Sequence, residues 1–227
     1  MTVAERVRGL LVEQPGSVGE RSRQRRWGIF QQLFPDVGAL RIVDLGGRAD
    51  SWMRAPVRPR SVVVVNVEPL DDPGVPWLST VQADACALTP EQLGGPFDLV
   101  FSNSLLEHVG GYRKRRELAG VVHRLAPRHW VQTPYRYFPL EPHWLFPGMQ
   151  FLPVPARALV ARTWPFTHTA ATPERAIEAV LGTELVGTTE VRHLFPGSTI
   201  VRERVGPFVK SLVAVRRGPS ADAAGPR

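Results

Sequence analysis

Cysteine is nearly missing from this 227-residue chain, and the one present, Cys86, has no partner within it. That excludes internal disulfides and cysteine-rich zinc sites, and a lone small thiol is ordinarily a packing residue rather than a nucleophile. Also missing is any uninterrupted run of about 18 apolar residues, so no membrane span is expected. Met1 to Glu20 lacks the apolar centre of a secretory signal, which points to a cytoplasmic location. Internal repeats are absent too. A hydrophobic content of 43% is enough for one sizeable core.

The formal charge is +7 and the pI about 10.6. Much of it sits in two clusters, Arg21, Arg23, Arg25 and Arg26, then Arg113, Lys114, Arg115 and Arg116. Arginine stands in for lysine throughout and prolines number 22, a composition bias. The clusters therefore read as solvated helix faces, and no nucleic-acid partner is expected.

What is present is a succession of apolar runs that each end in an acid. Leu40, Ile42 and Val43 suit a buried strand that runs into Asp44, followed by Gly46 and Gly47. Glycines there let the chain turn sharply and let a ligand approach. A second apolar run, Ser61 to Val67, ends at Glu68, 24 positions after Asp44, where a carboxylate can accept from both hydroxyls of a ribose. Trp77 to Ala83 forms a third strand ending at Asp84 and Ala85, an acid and a backbone amide suited to an adenine edge. After Gly47 come Arg48, Ala49, Asp50 and Ser51, so the later glycines of a dinucleotide fingerprint are missing. A ligand with a ribose, no phosphate and a cationic end near Asp44 fits this set, and S-adenosylmethionine is such a ligand.

Helices are predicted over Arg21 to Phe34, Ala49 to Met53, a stretch after Gly110-Gly111 with Leu118, Val121, Val122 and Leu125 on one face, a segment capped by Thr172 with Pro173 in its first turn, and Thr189 to Leu194. His123, within the third, reads as structural. Val3 to Val12 reads as a short amphipathic segment. Further strands are predicted at Phe97 to Ser102, His129 to Thr133, Ser198 to Val205 and Phe208 to Val215, the last two joined by a Gly206-Pro207 turn. Between them, Tyr135 to Phe166 is dense in aromatics and proline, as an inserted cap over a pocket would be. The domain plan is an extension over 1–20, one domain over 21–217 with the cap at about 134–166, and a disordered tail over 218–227.

Taken together, Asp44-Leu-Gly-Gly47, Asn66-Val-Glu68-Pro69, Gln82-Ala-Asp84-Ala85 and the run Phe97 to Val109 resemble the class I S-adenosylmethionine-dependent methyltransferases, in particular the bacterial type 11 small-molecule branch. The resemblance spans about residues 25 to 216. It implies an α/β, Rossmann-like fold with a seven-stranded, mostly parallel sheet, an antiparallel last strand and helices on both faces. It puts the methionine moiety near Asp44, Gly46 and Gly47, the ribose on Glu68, the adenine at Asp84 and Ala85, and the floor at Asn103 and Ser104. The activity implied is methyl transfer to an oxygen or nitrogen of a small polar metabolite. An RNA acceptor, and a non-catalytic cofactor-binding regulatory role, are the alternatives.

A base is needed if the acceptor is a hydroxyl or a protonated amine. His108, His143 and Glu141 are the candidates, since a neutral imidazole accepts a proton near pH 7. Some relatives bind a divalent ion through Glu-x-x-Glu-His at this place, but Ser104 stands where the first glutamate would, so only Glu107 and His108 match; Glu141 or His143 would have to complete the shell, and no metal is assigned. A fainter option is a membrane-surface helix within Phe151 to Phe166.

Overall fold

A computed structural model describes residues 17–166 and 172–218. The predicted Val3 to Val12 segment, the bulk of the 1–20 extension and nearly all of the 218–227 tail lie outside the described residues.

Helix α1 (Val18–Leu33) starts a turn earlier than its apolar periodicity suggests, because Ser17 caps it by accepting from the Glu20 amide at 3.0 Å. Phe34 and Pro35 end it. Strand β1 (Arg41–Leu45), helix α2 (Ala49–Met53) and strand β2 (Ser61–Asn66) follow. Strands β3 (Leu78–Gln82) and β4 (Leu99–Asn103) then precede helix α3 (Tyr112–Leu125) and strand β5 (Arg128–Pro134). The cap opens with the two-residue strands β6 (Leu140–Glu141) and β7 (Phe146–Pro147) and continues into helix α4 (Val154–Thr163). Helices α5 (Pro173–Leu181) and α6 (Thr188–Leu194) lead to strands β8 (Thr199–Val205) and β9 (Phe208–Arg216).

The seven-stranded sheet has the order β3-β2-β1-β4-β5-β9-β8. Strands β1 to β5 pair in parallel, and β9 runs antiparallel to both β5 and β8. The chain builds outward from β1 to β3, then returns to lay β4 on the other side of β1. That reversal opens a crevice at the carboxyl ends of β1 and β4, the place where open α/β sheets bind ligands.

Strands buried on both faces read as apolar runs, and alternation assigns each residue to a side. Val43, Leu45, Val65 and Val100 face α3 and α6 with Leu118, Val122 and Leu194. Ile42, Val62, Leu99 and Phe101 face α1 and α2 with Phe30, Phe34 and Trp52. Asp44 therefore emerges on the α1 and α2 side. There Trp27 stacks on Phe101, with ring centroids 5.4 Å apart.

The cap has a small core of its own, Trp144, Met149, Ala161, Ala176 and Val180. Two of these belong to α5, so the cap's packing extends past residue 166. Thr172 caps α5 by accepting from the Arg175 amide, as its sequence implied. Among the described residues no helix is long and apolar enough to cross a membrane.

Candidate active site

Asp44 is only 2% exposed, although it ends a strand at the crevice. Its Oδ2 accepts from Trp52 Nε1 at 2.8 Å, while Oδ1 is buried with no hydrogen-bond partner. Burial raises its carboxyl to about 7, against the Trp52 hydrogen bond, which lowers it. The glycine turn wraps around this group. Gly46 has φ +77°, and a Cβ on Gly47 would stand 1.8 Å from Asp44 Oδ2. The turn is pinned from β2, since Gly46 donates its amide to Val65 O at 2.8 Å and Asn66 Nδ2 donates to Gly47 O at 3.0 Å.

A cavity of about 260 Å³ opens beside it, lined in part by Asp44, Gly46, Gly47, Asn103, Trp27 and Arg48. Four of the eight expected cofactor positions thus share one hollow. Glu68, Asp84 and Ala85 lie at the same sheet edge, because β1, β2 and β3 are in parallel register, but outside the hollow. The Glu68 carboxylate is exposed and makes no hydrogen bond among the described residues, its amide donating to Asn66 Oδ1 at 3.1 Å. Asp84 Oδ1 accepts from the Cys86 amide at 2.8 Å, a local turn that leaves its other oxygen uncommitted. Ser104, at φ +55°, donates from its hydroxyl to Gln132 Oε1 at 3.2 Å and is also outside the hollow.

The three expected catalytic residues do meet. Glu141 is 2% exposed, and its Oε2 accepts the amides of His143 and Trp144 at 2.8 and 2.9 Å. Its Oε1 lies 2.7 Å from His143 Nδ1. His143 Nε2 in turn lies 3.1 Å from His108 Nε2. On the far side of that ring, His108 Nδ1 is 3.5 Å from Thr183 Oγ1. Burial works against charge on His143, but its hydrogen bond to Glu141 and the carboxylate charges of Glu141 and Glu107 outweigh it and raise the ring above the ordinary histidine value. His108 is held low, first by desolvation and then by His143. The inner ring therefore carries a proton more readily than the outer one.

Glu107 completes the cluster; the sequence offered it only as a match, with His108, to a metal-binding motif, not as a catalytic or cofactor residue. It is 1% exposed, accepts from Thr133 Oγ1 at 3.0 Å through Oε2, and has an unpartnered, buried Oε1. Burial raises it to about 7. Its signal in the sequence was an acid set directly after Leu105 and Leu106. Glu107, His108 and His143 each offer a ligand atom within 4.8 Å of the others, so this trio could hold a metal ion. Glu141, the other residue considered for such a shell, is instead committed to His143 and two amides.

No family model and no curated protein matches the sequence. Solved structures do match the fold. The N-terminal domain of EvdMO1 with SAH bound aligns with TM-score 0.54 and 17% identity, covering 87% of this chain and 81% of that one. The magnesium protoporphyrin IX methyltransferase ChlM from Synechocystis PCC 6803 with bound SAM aligns with TM-score 0.51 and 13% identity over 93% and 90%. The N-methyltransferase NodS from Bradyrhizobium japonicum WM9, in complex with S-adenosyl-L-homocysteine, gives 0.51 and 16% over 88% and 87%. The chain has the fold of the class I S-adenosylmethionine-dependent methyltransferases.

Within that methyltransferase fold, residues outside the site resolve into structure. Arg115 is buried between Glu184 (2.9 Å) and Glu190 (2.5 Å), and Arg26 pairs with Glu203 at 2.8 Å. The two arginine clusters are thus partly internal ion pairs rather than continuous solvated faces. His123 Nε2 lies 3.3 Å from Leu194 O, a structural role. Burial pushes the Cys86 thiol up to about 11, the opposite of an activated nucleophile.

Proposed function

We propose that this chain is an S-adenosylmethionine-dependent methyltransferase that moves a methyl group to an oxygen or nitrogen of a small polar metabolite. The observation that carries the reading is the buried Asp44 carboxylate, one oxygen unsatisfied, wrapped by a glycine turn at the mouth of the crevice. A buried lone pair without a partner costs free energy unless a ligand supplies a donor. The ammonium of the cofactor's methionine end would supply that donor, and its sulfonium would add positive charge near the carboxylate. The fold neighbours with SAM or SAH bound support the same cofactor.

When bound, the cofactor supplies an electrophilic methyl on sulfur. Asp44, Gly46, Gly47 and Asn103 would hold its methionine end, with Ser104 beside them. Glu68 would accept the ribose hydroxyls, and Asp84 with the Ala85 amide would meet the adenine. The protein's contribution to an in-line displacement is mainly alignment and exclusion of water. His108 would take the acceptor's proton on Nδ1, while the proton that its Nε2 already shares with His143 Nε2 shifts toward His143. His143 shares the resulting positive charge, and Glu141 holds that ring in place and compensates it.

Calorimetry with S-adenosylmethionine and its demethylated product tests the cofactor assignment. Binding in the micromolar range is expected, weakened by about 1.5–3 kcal/mol in Glu68→Ala through loss of charged hydrogen bonds. Unchanged affinity in that variant removes the ribose role, and no binding to the wild type removes the proposed function.

A further inference from the structure

A second cavity, of about 250 Å³, lies between the cap and α5 and reaches the histidine pair through Glu141 and Thr183. Its charges are unevenly matched. Both lining carboxylates already face cations, Glu141 with His143 at 2.7 Å and Glu184 with Arg115 at 2.9 Å. Neither lining guanidinium faces a carboxylate among the described residues. Arg157 donates to the carbonyls of Val180 and Thr183, which caps the end of α5 but leaves its charge uncompensated. The Arg136 side chain has no hydrogen bond or ion pair among the described residues.

Gln150 adds a direction. Its Nε2 donates to the carbonyls of Arg136 and Phe138 at 2.9 and 2.8 Å, which fixes the amide orientation, because the opposite flip would set oxygen against two carbonyls. The Oε1 that remains is buried without a donor. Trp144, Met149 and Val180 supply an apolar wall. The hollow is below the ~300–1,000 Å³ of drug-sized ligand sites, so a small molecule fits and a polymer strand does not.

We infer that this cavity seats the methyl acceptor, and that the acceptor is a small organic oxyanion. Its carboxylate or phosphate docks on Arg136 and Arg157, a hydroxyl or amine donates to Gln150 Oε1, and the body lies against Trp144 and Met149. Guanidinium forks recognise both oxyanions, so the two share one chemistry. This deepens the methyltransferase reading and rests on it for the word acceptor, while the binding itself does not.

The test is direct binding to the full chain, with S-adenosylhomocysteine titrated in parallel. The probes are 3-(4-hydroxyphenyl)propanoate, its neutral methyl ester, the cation tyramine, and 4-hydroxyphenyl phosphate. At least one oxyanion probe is expected to bind with a Kd of about 1 mM or tighter and at least about ten-fold better than ester or amine. Whichever oxyanion binds tighter names the anionic group. Arg136→Gln should weaken that probe about ten-fold or more and Arg136→Glu should abolish binding. Thermal midpoint and S-adenosylhomocysteine affinity should stay as in the wild type, since only the backbone of Arg136, which either substitution keeps, bonds the described protein, at Gln150 and Val186. Equal affinity for acid, ester and amine, no oxyanion binding up to about 10 mM, or indifference to Arg136 overturns the inference. Failure of S-adenosylhomocysteine to bind while the oxyanion still does removes the methyltransferase reading alone.

Discussion

His108 and His143 face each other with their Nε2 atoms 3.1 Å apart. Two neutral lone pairs at that distance repel, so one proton or one cation belongs between them. Because the inner ring is raised and the outer one lowered, the pair loses its protons in two separated steps, one below and one above the ordinary histidine value. In the proposed mechanism the base needs the fully neutral pair. The methyl-transfer rate is therefore expected to rise with pH through the upper step, and Glu141→Gln, which removes the carboxylate that raises His143, should move that rise to lower pH. His143→Ala is expected to cost about 10²–10⁴-fold in kcat, with cofactor affinity retained. Rate–pH profiles of the three proteins check this.

Chelation discriminates the proton from a cation. With a proton in the gap, dialysis against EDTA leaves the rate unchanged. Activity lost to EDTA and restored by a divalent salt would instead place the ion among Glu107, His108 and His143.

Asp44 makes stability depend on pH with a definite sign. Its folded value of about 7 lies above the unfolded value near 3.8, so its contribution is complete below the unfolded value and is lost as pH rises through 7. Glu107, also at about 7, acts in the same sense. Below the ordinary histidine value His129 opposes both, since burial holds it neutral down to about 3. Relative to wild type, Asp44→Asn should gain about 1–3 kcal/mol in urea denaturation between pH 5 and 8. The same carboxyl should release up to about one proton on binding S-adenosylmethionine near pH 6.5, read as a dependence of the binding heat on buffer ionisation enthalpy.

Gly47→Ala puts a methyl 1.8 Å from the Asp44 carboxylate, a distance no side chain tolerates. Either the turn or Asp44 must move. A loss of about 2 kcal/mol or more is expected in chemical denaturation, together with loss of cofactor binding. Gly28→Ala, where a Cβ meets nothing within 4 Å, is the control.

Arg115→Met keeps the aliphatic stem that α3 buries and removes only the charge, whereas Arg115→Ala removes both. Glu190 and Glu184 are partly exposed and rehydrate, so the loss in the methionine variant should stay at about 1–2 kcal/mol. The alanine variant should cost more, because it also leaves a void.

Strand positions were legible because doubly buried strands write themselves as valine and isoleucine runs. Ser61 to Asn66 shows this, whereas Asp44 lies inside β1 and Glu68 and Asp84 lie two residues past the ends of β2 and β3. The Thr172 cap with Pro173, and the Gly206-Pro207 turn between β8 and β9, are local chemistry that the sequence displays directly. Strand β4 begins two residues later than its apolar run, since the Phe97 amide bonds Leu125 O and the Asp98 amide bonds Arg41 O as the chain enters the sheet. The site was legible only where its residues lie near a strand end. Trp52 on Asp44, Glu184 and Glu190 on Arg115, and the unsatisfied Gln150 oxygen depend on where helices and cap settle. No spacing along the chain encodes those encounters.

The cap's separate core has a corollary for redesign. Of its members, Trp144, Met149 and Val180 line the second cavity, and none of the five belongs to the two hydrophobic layers of the sheet. If the second cavity seats the acceptor as inferred, libraries randomised at Trp144, Met149 and Val180 are expected to alter acceptor choice before cofactor affinity.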